Sequence, residues 1–216
     1  HQDIDHVFRD LLPAHGMVER PAQVELSHQM LDTMLNGSIA LCDAGTGIGK
    51  TYAYLVAGVV FRRYRSRAGL PNQPLLISTS SIALQGAIIH DYLPFLSKVM
   101  MADGMLDSPL RAVLRKGKSH YVCDARLMKR LQTANLDRKN PLAKAALLSM
   151  RDHLDLDMAP HLSGYDRERI CVPPTCDCGK TECRYLCYLD VCASERYAIQ
   201  VCNHNLLLAD AIHQGS

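Results

Sequence analysis

Apolar residues recur at helical spacing in several stretches of the chain and form short unbroken runs in others. Six stretches with apolar residues three or four positions apart are predicted to be helices: 3–12, 26–35, 52–63, 82–95, 127–150 and 206–209. Three short apolar runs are predicted to be buried strands: Ile39–Cys42, Leu75–Thr79 and Ala198–Cys202. Because strands and helices alternate, the chain is predicted to be an α/β protein with a parallel sheet flanked by helices.

The alternation stops near residue 100 and returns near the last predicted strand. We interpret the intervening region as a mainly helical, cysteine-rich domain inserted into one α/β domain. The predicted boundaries are 1–110 for the first part of the α/β domain, 111–195 for the insertion and 196–216 for the return.

Composition excludes several classes of protein. The chain has 216 residues, 48% of them hydrophobic, which suits a buried core, and its formal net charge is only +2. No apolar stretch is long enough to span a bilayer and no signal peptide is visible, so we expect no membrane association and a cytoplasmic location. The chain begins at His1 rather than at a methionine, which suggests a fragment of a longer protein.

One segment carries the strongest indication of chemistry. It fits the phosphate-binding P-loop pattern, with alanine in place of the first glycine, and consists of Ala44, Gly45, Thr46, Gly47, Ile48, Gly49, Lys50 and Thr51. Glycines let backbone N–H groups approach phosphate oxygens, and a helix that begins at the loop points its positive end at the anion. Lys50 would reach the β- and γ-phosphates, and Thr51 would coordinate Mg²⁺. The alternative is a glycine-rich turn that binds no phosphate.

The cysteines indicate a second site. Six of the nine lie within 171–192, and clustered thiols in a P-loop protein favour a metal over disulfides. Three closely spaced cysteines with one distant partner can supply four sulfur ligands: Cys123, Cys178, Cys183 and Cys187. Cys176 or Cys192 could replace one of them, and spacing does not distinguish Zn²⁺ from an iron–sulfur cluster. Cys42 and Cys202 fall in predicted strands and are expected to be buried.

Positive charge is concentrated locally. Residues 111–139 contain nine Lys or Arg residues and two acidic ones. The basic tract Arg62–Arg67 is more simply interpreted as the solvated end of a helix.

Five segments, in order along the chain, resemble motifs of the iron–sulfur branch of superfamily 2 helicases, the DinG/XPD family, and are most similar to its bacterial DinG group. They are Arg20–Gln23, Asp43–Thr51, Ser78–Gln85, Lys116–Cys123 and Cys202–Asp210.

The resemblance implies a RecA-like motor domain that binds ATP and Mg²⁺, an inserted [4Fe-4S] domain, and ATP-driven 5′–3′ translocation on single-stranded DNA with unwinding of forked duplex in repair or replication. It implies that Arg20 and Gln23 join Ala44–Thr51 in binding ATP, with Lys50 and Thr51 as the catalytic residues. Contacts to DNA are implied for six residues: Thr79, Ser80, Gln85, Lys116, Lys118 and Tyr121. The basic stretch would neutralise phosphates, and Tyr121 would either stack on a base or pack beside the metal site.

The chain departs from the family pattern in having more cysteines than the usual cluster segment and, more importantly, in having no Asp-Glu-x-His sequence. In the family those acids hold Mg²⁺ and position water, so we expect this chain alone to hydrolyse ATP poorly. Three other interpretations stay open: a zinc-stabilised nucleic-acid-binding module with a vestigial P-loop, a P-loop ATPase with redox-regulated thiols, and a nuclease or CRISPR-associated relative.

Overall fold

The computed structural model describes residues 1–133, 141–176 and 183–214. They form two compact units, one comprising His1–Leu114 and Ser194–Ser216 and the other Arg115–Ala193. The chain therefore leaves the first unit after Leu114, forms the second unit, and returns to the first at Ser194.

A three-stranded parallel sheet lies in the first unit. Its strands are β1 (Leu75–Ser78), β2 (Ala112–Leu114) and β3 (Ile199–Cys202), in the order β1-β3-β2. Leu75 pairs with Ile199 and Ala112 pairs with the same residue from the other side. The central strand β3 is almost entirely buried, as expected for a parallel strand covered on both faces.

Helices surround this sheet. The α-helices of the first unit are α1 (Gln2–His6), α2 (Leu12–Ala14), α3 (Pro21–Leu35), α4 (Lys50–Arg67), α5 (Ile82–Ala87), α6 (Leu93–Ala102) and α11 (His204–Gln214). A π-helical turn at Val7–Leu11 joins α1 to α2, and another at Ile88–Tyr92 joins α5 to α6. The sequence-based helices 3–12 and 82–95 are therefore confirmed as continuous helical segments with π turns inside them.

Close packing against the sheet fixes the position of α4. A Cβ atom added to Gly58 would lie 2.3 Å from Leu75 Cδ1, so a larger residue there would require the Leu75 side chain to shift. Leu55, Val56 and Val59 of the same helix are fully or almost fully buried in the core of the unit. The packing of α4 against β1 holds the beginning of α4, where the P-loop ends, at a fixed place relative to the sheet.

The second unit is mainly helical. Its helices are α7 (Asp124–Thr133), α8 (Pro141–Ser149), α9 (Gly164–Ile170) and α10 (Arg184–Ala193), with 3₁₀ turns at Lys118–His120 and Leu156–Met158. Its core contains Val122, Leu127, Leu147, Met150 and Ile170. The helical pattern predicted for 127–150 is confirmed in α7 and α8, while residues 134–140 between them lie outside the described part of the chain.

The α/β class with a small parallel sheet is confirmed, but one predicted strand is wrong. Ile39–Cys42 forms no strand; Ile39 is 94% and Leu41 98% exposed, and Cys42, predicted to be buried, is also exposed. A strand requires a neighbour that supplies hydrogen bonds, and within the described residues β1, β2 and β3 pair only with one another. Cys202, by contrast, is buried in β3 as predicted.

The strand β2 was missed, because three residues are too few to show a periodic pattern. Among the helices of the described ranges, none is long and apolar enough to cross a membrane.

Candidate functional site

The P-loop is an exposed loop that ends where α4 begins. Gly47 and Gly49 both adopt φ of 84°, in the left-handed region that favours glycine. Lys50 donates from its Nζ to the carbonyl oxygens of Ala44 and Gly45, each at 2.8 Å. The lysine thus folds back over the loop and satisfies carbonyls that would otherwise face solvent.

Gly49 is also the N-cap of α4, and no side chain caps this helix. The N-terminal N–H groups of a helix lack intrahelical partners and carry partial positive charge. The helix is 18 residues long, so its dipole is fully developed at this end. Glycine conformation, lysine and helix start therefore meet at one exposed place that is suited to an anion.

Two side chains at the start of α3 hold the loop from behind. Arg20 Nη1 donates to the carbonyl oxygen of Gly47 at 2.6 Å, and Gln23 Nε2 donates to that of Gly49 at 2.7 Å. Gln23 is only 4% exposed, and a Cβ atom added to Gly49 would lie 2.1 Å from its Nε2. The structure places both predicted ATP-binding residues against the P-loop backbone, while contact with adenine stays a prediction.

The segment before the P-loop runs beside the free edge of β1. Ala40 and Cys42 line a largely apolar cleft of about 510 Å³ together with Leu75, Ile77 and Ser78 of that strand. The apolar run 39–42 therefore lies next to the sheet, although it forms no ladder with it.

The carboxyl end of the sheet carries three of the predicted DNA-contacting residues. Thr79 follows β1 and donates its backbone N–H to the carbonyl oxygen of Cys202 at 3.0 Å. Gln85 is buried and donates from Nε2 to the carbonyl oxygen of Thr79 at 2.8 Å, whereas Ser80 is exposed. Of the three, Ser80 is thus the most accessible, and Gln85 supports the turn that presents it.

In the second unit, the predicted ligand cysteines within the described residues lie on two segments that a side-chain pair connects. Cys123 is buried directly before α7, and Cys183 directly precedes α10. The next residue of each segment, Asp124 and Arg184, form a bidentate ion pair with N–O distances of 2.5 to 3.0 Å. The sequence analysis did not predict this ion pair, although an acidic residue follows one candidate ligand and a basic residue follows another.

Arg184 is tied further into the unit by its remaining donors. They bond the carbonyl oxygens of Arg151 at 2.9 Å and of Met150 at 3.1 Å. The hydrogen bond and ion pair with Asp124 raise the pKa of Arg184 above its ordinary value, so the guanidinium stays charged. This residue therefore joins three segments of the unit at one point.

The two cysteines at the start of α10 face a shared cleft. Cys183 and Cys187 are one helical turn apart and line a cavity of about 480 Å³ with Leu154 and Tyr188. In the described ranges no three His, Cys, Asp or Glu side chains are close enough to hold one metal ion. Cys178, the fourth predicted ligand, lies outside the described residues.

The alternative ligands have different surroundings. Cys176 is exposed, whereas Cys192 is 1% exposed and hydrogen-bonded to Tyr188. Burial raises the pKa of the Cys192 thiol, although Tyr188 and the nearby Arg115 act in the opposite direction. Because a metal ligand must be a thiolate, the surroundings of Cys192 favour a structural thiol.

Three tyrosines pack together in a small core cluster that also contains Cys123. Tyr121 is 3% exposed, and its ring centroid lies 5.2 Å from that of Tyr185 and 5.1 Å from that of Tyr188. Burial raises the pKa of both Tyr121 and Tyr188, and their hydroxyl groups lie 3.3 Å apart. Of the two roles open for Tyr121, stacking on a base or packing beside the cysteines, the structure shows the packed one.

The two predicted DNA-contacting lysines are also engaged. Lys116 Nζ is 2.6 Å from Asp155 and 2.7 Å from Asp157, and Lys118 Nζ donates to the carbonyl oxygen of Pro174. Although burial lowers the pKa of Lys116, its bonds to the two carboxylates raise it overall. Both lysines therefore brace loops of this unit.

No family model matches the chain. Comparison with curated proteins finds 30% identity over 144 residues with the 3′-5′ exonuclease DinG of Bacillus subtilis, covering 67% of this chain and 14% of that protein. The chain is also 30% identical over 129 residues to the ATP-dependent DNA helicase YoaA of Haemophilus influenzae, covering 60% and 18%. It is 35% identical over 85 residues to the ATP-dependent DNA helicase DinG of Photobacterium profundum, covering 39% and 10%.

The fold and motif define an α/β protein whose P-loop sequence precedes a helix packed on a small parallel sheet. Within that class, the chain is similar to proteins named DinG and YoaA, and the resemblance predicted from its motifs is confirmed. The matched regions span less than a fifth of each of these relatives.

Proposed function

We propose that this chain is the N-terminal part of an ATP-dependent DNA helicase, with a RecA-like first unit and an iron–sulfur second unit. The observation that carries the proposal is the geometry at the start of α4. There, left-handed glycines, Lys50 and an uncapped helix N-terminus meet in a sequence related to helicases. These are the elements that cradle nucleotide phosphates in P-loop proteins.

Residues of the P-loop and of the start of α3 then have separate roles in binding ATP. Lys50 exchanges the carbonyls of Ala44 and Gly45 for the β- and γ-phosphates, and Thr51 ligates Mg²⁺. Arg20 and Gln23 keep the loop open by holding the carbonyls of Gly47 and Gly49 away from the phosphate position. The α4 N-terminus supplies positive potential without any movement of charged side chains.

The second unit would hold a [4Fe-4S] cluster through Cys123, Cys178, Cys183 and Cys187. The sulfur donors suit such a cluster, and the Asp124–Arg184 pair joins the two described ligand segments. When bound, the cluster would crosslink these segments and support the region where DNA strands separate. Cys192 is buried against Tyr188 and is better suited to packing than to ligation.

The proposed reaction is ATP-driven 5′–3′ movement along single-stranded DNA, with unwinding of forked duplex in repair or replication. Both the helicase named YoaA and the exonuclease named DinG match the chain over more than half its length. Since relatives of both names match, the match alone does not separate the two functions, and the P-loop geometry at the start of α4 is what favours the motor function.

The motor proposal is tested by unwinding assays on the full protein that carries this chain. We expect ATP-dependent unwinding of a fork with a 5′ tail and none with a 3′ tail, and at least a 100-fold loss of rate in Lys50→Ala. Lys98 is an exposed lysine of the same unit outside the loop, so Lys98→Ala serves as the matched control. Equal rates for wild type and Lys50→Ala would overturn the proposal.

The cluster is tested by iron, acid-labile sulfide and zinc analysis of anaerobically purified protein. We expect about four irons and four sulfides per chain, a loss of most of them in Cys187→Ser, and wild-type content in Cys192→Ser. Zinc without sulfide would replace the iron–sulfur assignment with a structural zinc site.

A further inference from the structure

Helix α7 has one polar, basic face. Arg126, Lys129, Arg130 and Thr133 follow one another at intervals of three, one and three residues, which places them on one side of the helix. They line a small cleft of about 240 Å³. Leu127 is buried in the core of the unit, whereas Lys129 and Thr133 are exposed and Arg126 and Arg130 are half-buried.

Helix α9 completes this surface with an arginine and an exposed aromatic ring. Arg169 lines the same cleft, and its Cζ lies 4.5 Å from the ring centroid of Tyr165. Arg130 Cζ lies 5.2 Å from that centroid, so both guanidinium groups contact one ring that is 57% exposed. We call Arg126, Lys129, Arg130, Thr133, Tyr165 and Arg169 the α7–α9 basic face.

A buried carboxylate fixes the geometry of this face. Asp166, 8% exposed, accepts from Arg130 Nε at 2.6 Å and from Ser163 Oγ at 2.7 Å. Ser163 also caps α9 by accepting from the backbone N–H of Asp166. Arg130 is thereby held in place through Nε, and its Nη groups stay directed elsewhere. Glu168, although on α9, does not line the cleft.

The donors of the face have few partners inside the protein. Within the described residues, the side chains of Lys129 and Arg169 form no ion pair or hydrogen bond, and Arg126 bonds a backbone carbonyl at 2.7 Å. This contrasts with Lys116 and Lys118, which are already bonded to neighbouring loops. Lys129 and Arg169 are therefore better placed than Lys116 and Lys118 to meet an external anion.

We propose that the α7–α9 basic face binds single-stranded DNA, with Lys129 and Arg169 on phosphates and Tyr165 stacked on a base. Positive side chains that surround an exposed ring match the combination by which proteins hold single strands without reading sequence. This inference rests on the proposed function and replaces Lys116, Lys118 and Tyr121 as the DNA contacts of the second unit.

The test is fluorescence anisotropy of a labelled 20-nucleotide oligo-dT, measured with the full chain over a range of salt concentrations. Lys129→Gln/Arg169→Gln should bind about tenfold more weakly at low salt, and the slope of log affinity against log salt should fall by about 1.4. Tyr165→Leu should bind about tenfold more weakly with an unchanged slope, and Tyr165→Phe should bind like wild type. Lys144→Gln, an exposed lysine on α8, is the matched control.

Three outcomes would overturn the inference. If wild type binds the oligonucleotide but the double variant matches Lys144→Gln, the inference fails while the helicase proposal stands. If wild type does not bind at low salt, the inference fails together with the DNA-binding part of the proposed function, and ATP binding decides the rest. If poly-glutamate competes as well as unlabelled oligo-dT, the face is assigned to acidic protein surfaces instead.

Discussion

The P-loop of the first unit and the cysteine segments of the second unit are organised in opposite ways. The P-loop consists of consecutive residues whose backbone groups are set by glycine conformations, and most of it is exposed. The cysteine segments are sixty positions apart and meet through the side chains of Asp124 and Arg184. One site is built by local backbone geometry, and the other depends on tertiary contacts.

This difference determines which changes damage each site. In the P-loop, Gly49 is the sensitive residue, because a Cβ atom added to it would have no space beside Gln23. In the cysteine region, the sensitive atoms belong to the Arg184 guanidinium, which bonds Asp124 on one segment and the carbonyl oxygens of Met150 and Arg151 on another. We therefore expect the largest effect of a single methyl group in the first unit and the largest effect of a lost charge in the second.

The strongest prediction concerns Gly49→Ala. The added Cβ would clash with Gln23 Nε2. The alanine would also have to keep the left-handed backbone conformation of Gly49, which costs about 1–2 kcal/mol. Loss of the Gln23 hydrogen bond adds about 1 kcal/mol, so ATP affinity should fall about 100-fold in a titration with a fluorescent ATP analogue.

Gly69→Ala is the matched control for this prediction. Gly69 also has a positive φ, of 67°, but nothing lies within 4 Å of an added Cβ. It should lose about 1 kcal/mol of unfolding free energy and retain wild-type ATP affinity. If Gly49→Ala binds ATP as well as Gly69→Ala does, the P-loop does not depend on the Gln23 contact.

A second prediction concerns Arg184→Met, which keeps much of the side-chain volume and removes the ion pair. Because Asp124 and Arg184 are both about one-third exposed, we expect a loss of about 1–2 kcal/mol in urea unfolding rather than the larger cost of a buried pair. Amides of α10 should also exchange faster with deuterium.

The exposed pair of Arg9 and Asp5 offers a control for the second prediction. Arg9→Met should cost less than about 0.5 kcal/mol, since its partner is held on the same helix surface and the pair is well solvated. A cost for Arg184→Met no larger than that for Arg9→Met would show that the cysteine segments do not need their ion pair.

Features built from adjacent residues could be predicted from the sequence, whereas features that depend on tertiary contacts could not. The P-loop and the helix after it were predicted from adjacent residues, because glycine and lysine carry their chemistry locally. The contacts of Lys116 with Asp155 and Asp157 were not, because nothing in the sequence near Lys116 indicates which distant acids it will meet. The basic stretch predicted positive charge but not which side chains would remain accessible.

The incorrect prediction of a strand at Ile39–Cys42 also reflects a dependence on tertiary contacts. Its apolar composition was correctly noted, and two of its residues do line a cleft beside β1. Strand formation, however, requires a partner with matching register, and composition does not contain that information. Tertiary pairing, which a single sequence does not show, decided the outcome there and at β2.

The smallest effects concern pH and should have opposite signs in the two units. In the first, hydrogen bonds to Asp10 and Asp103 raise the pKa of His6 above its ordinary 6.5. Its contribution to stability is therefore complete below pH 6.5 and is lost as pH rises through the higher folded-state pKa. His6→Gln should remove this loss on the alkaline side.

In the second unit, burial acts to raise the pKa of Asp157. The hydrogen bond and charge of Lys116 and the charge of Arg167 have the larger, opposite effect, so the pKa lies below its ordinary 3.8. Its contribution is present above pH 3.8 and is lost as pH falls through the depressed folded-state pKa, so Asp157→Asn should flatten the acid side. The side chains of His6 and Asp157 are each 40% exposed, so solvent screens their charges and each effect should stay below about 1 kcal/mol. Urea unfolding at pH 3, 5.5 and 8 would check both predictions. If His6→Gln loses as much unfolding free energy between pH 5.5 and 8 as wild type does, the loss at high pH comes from another group.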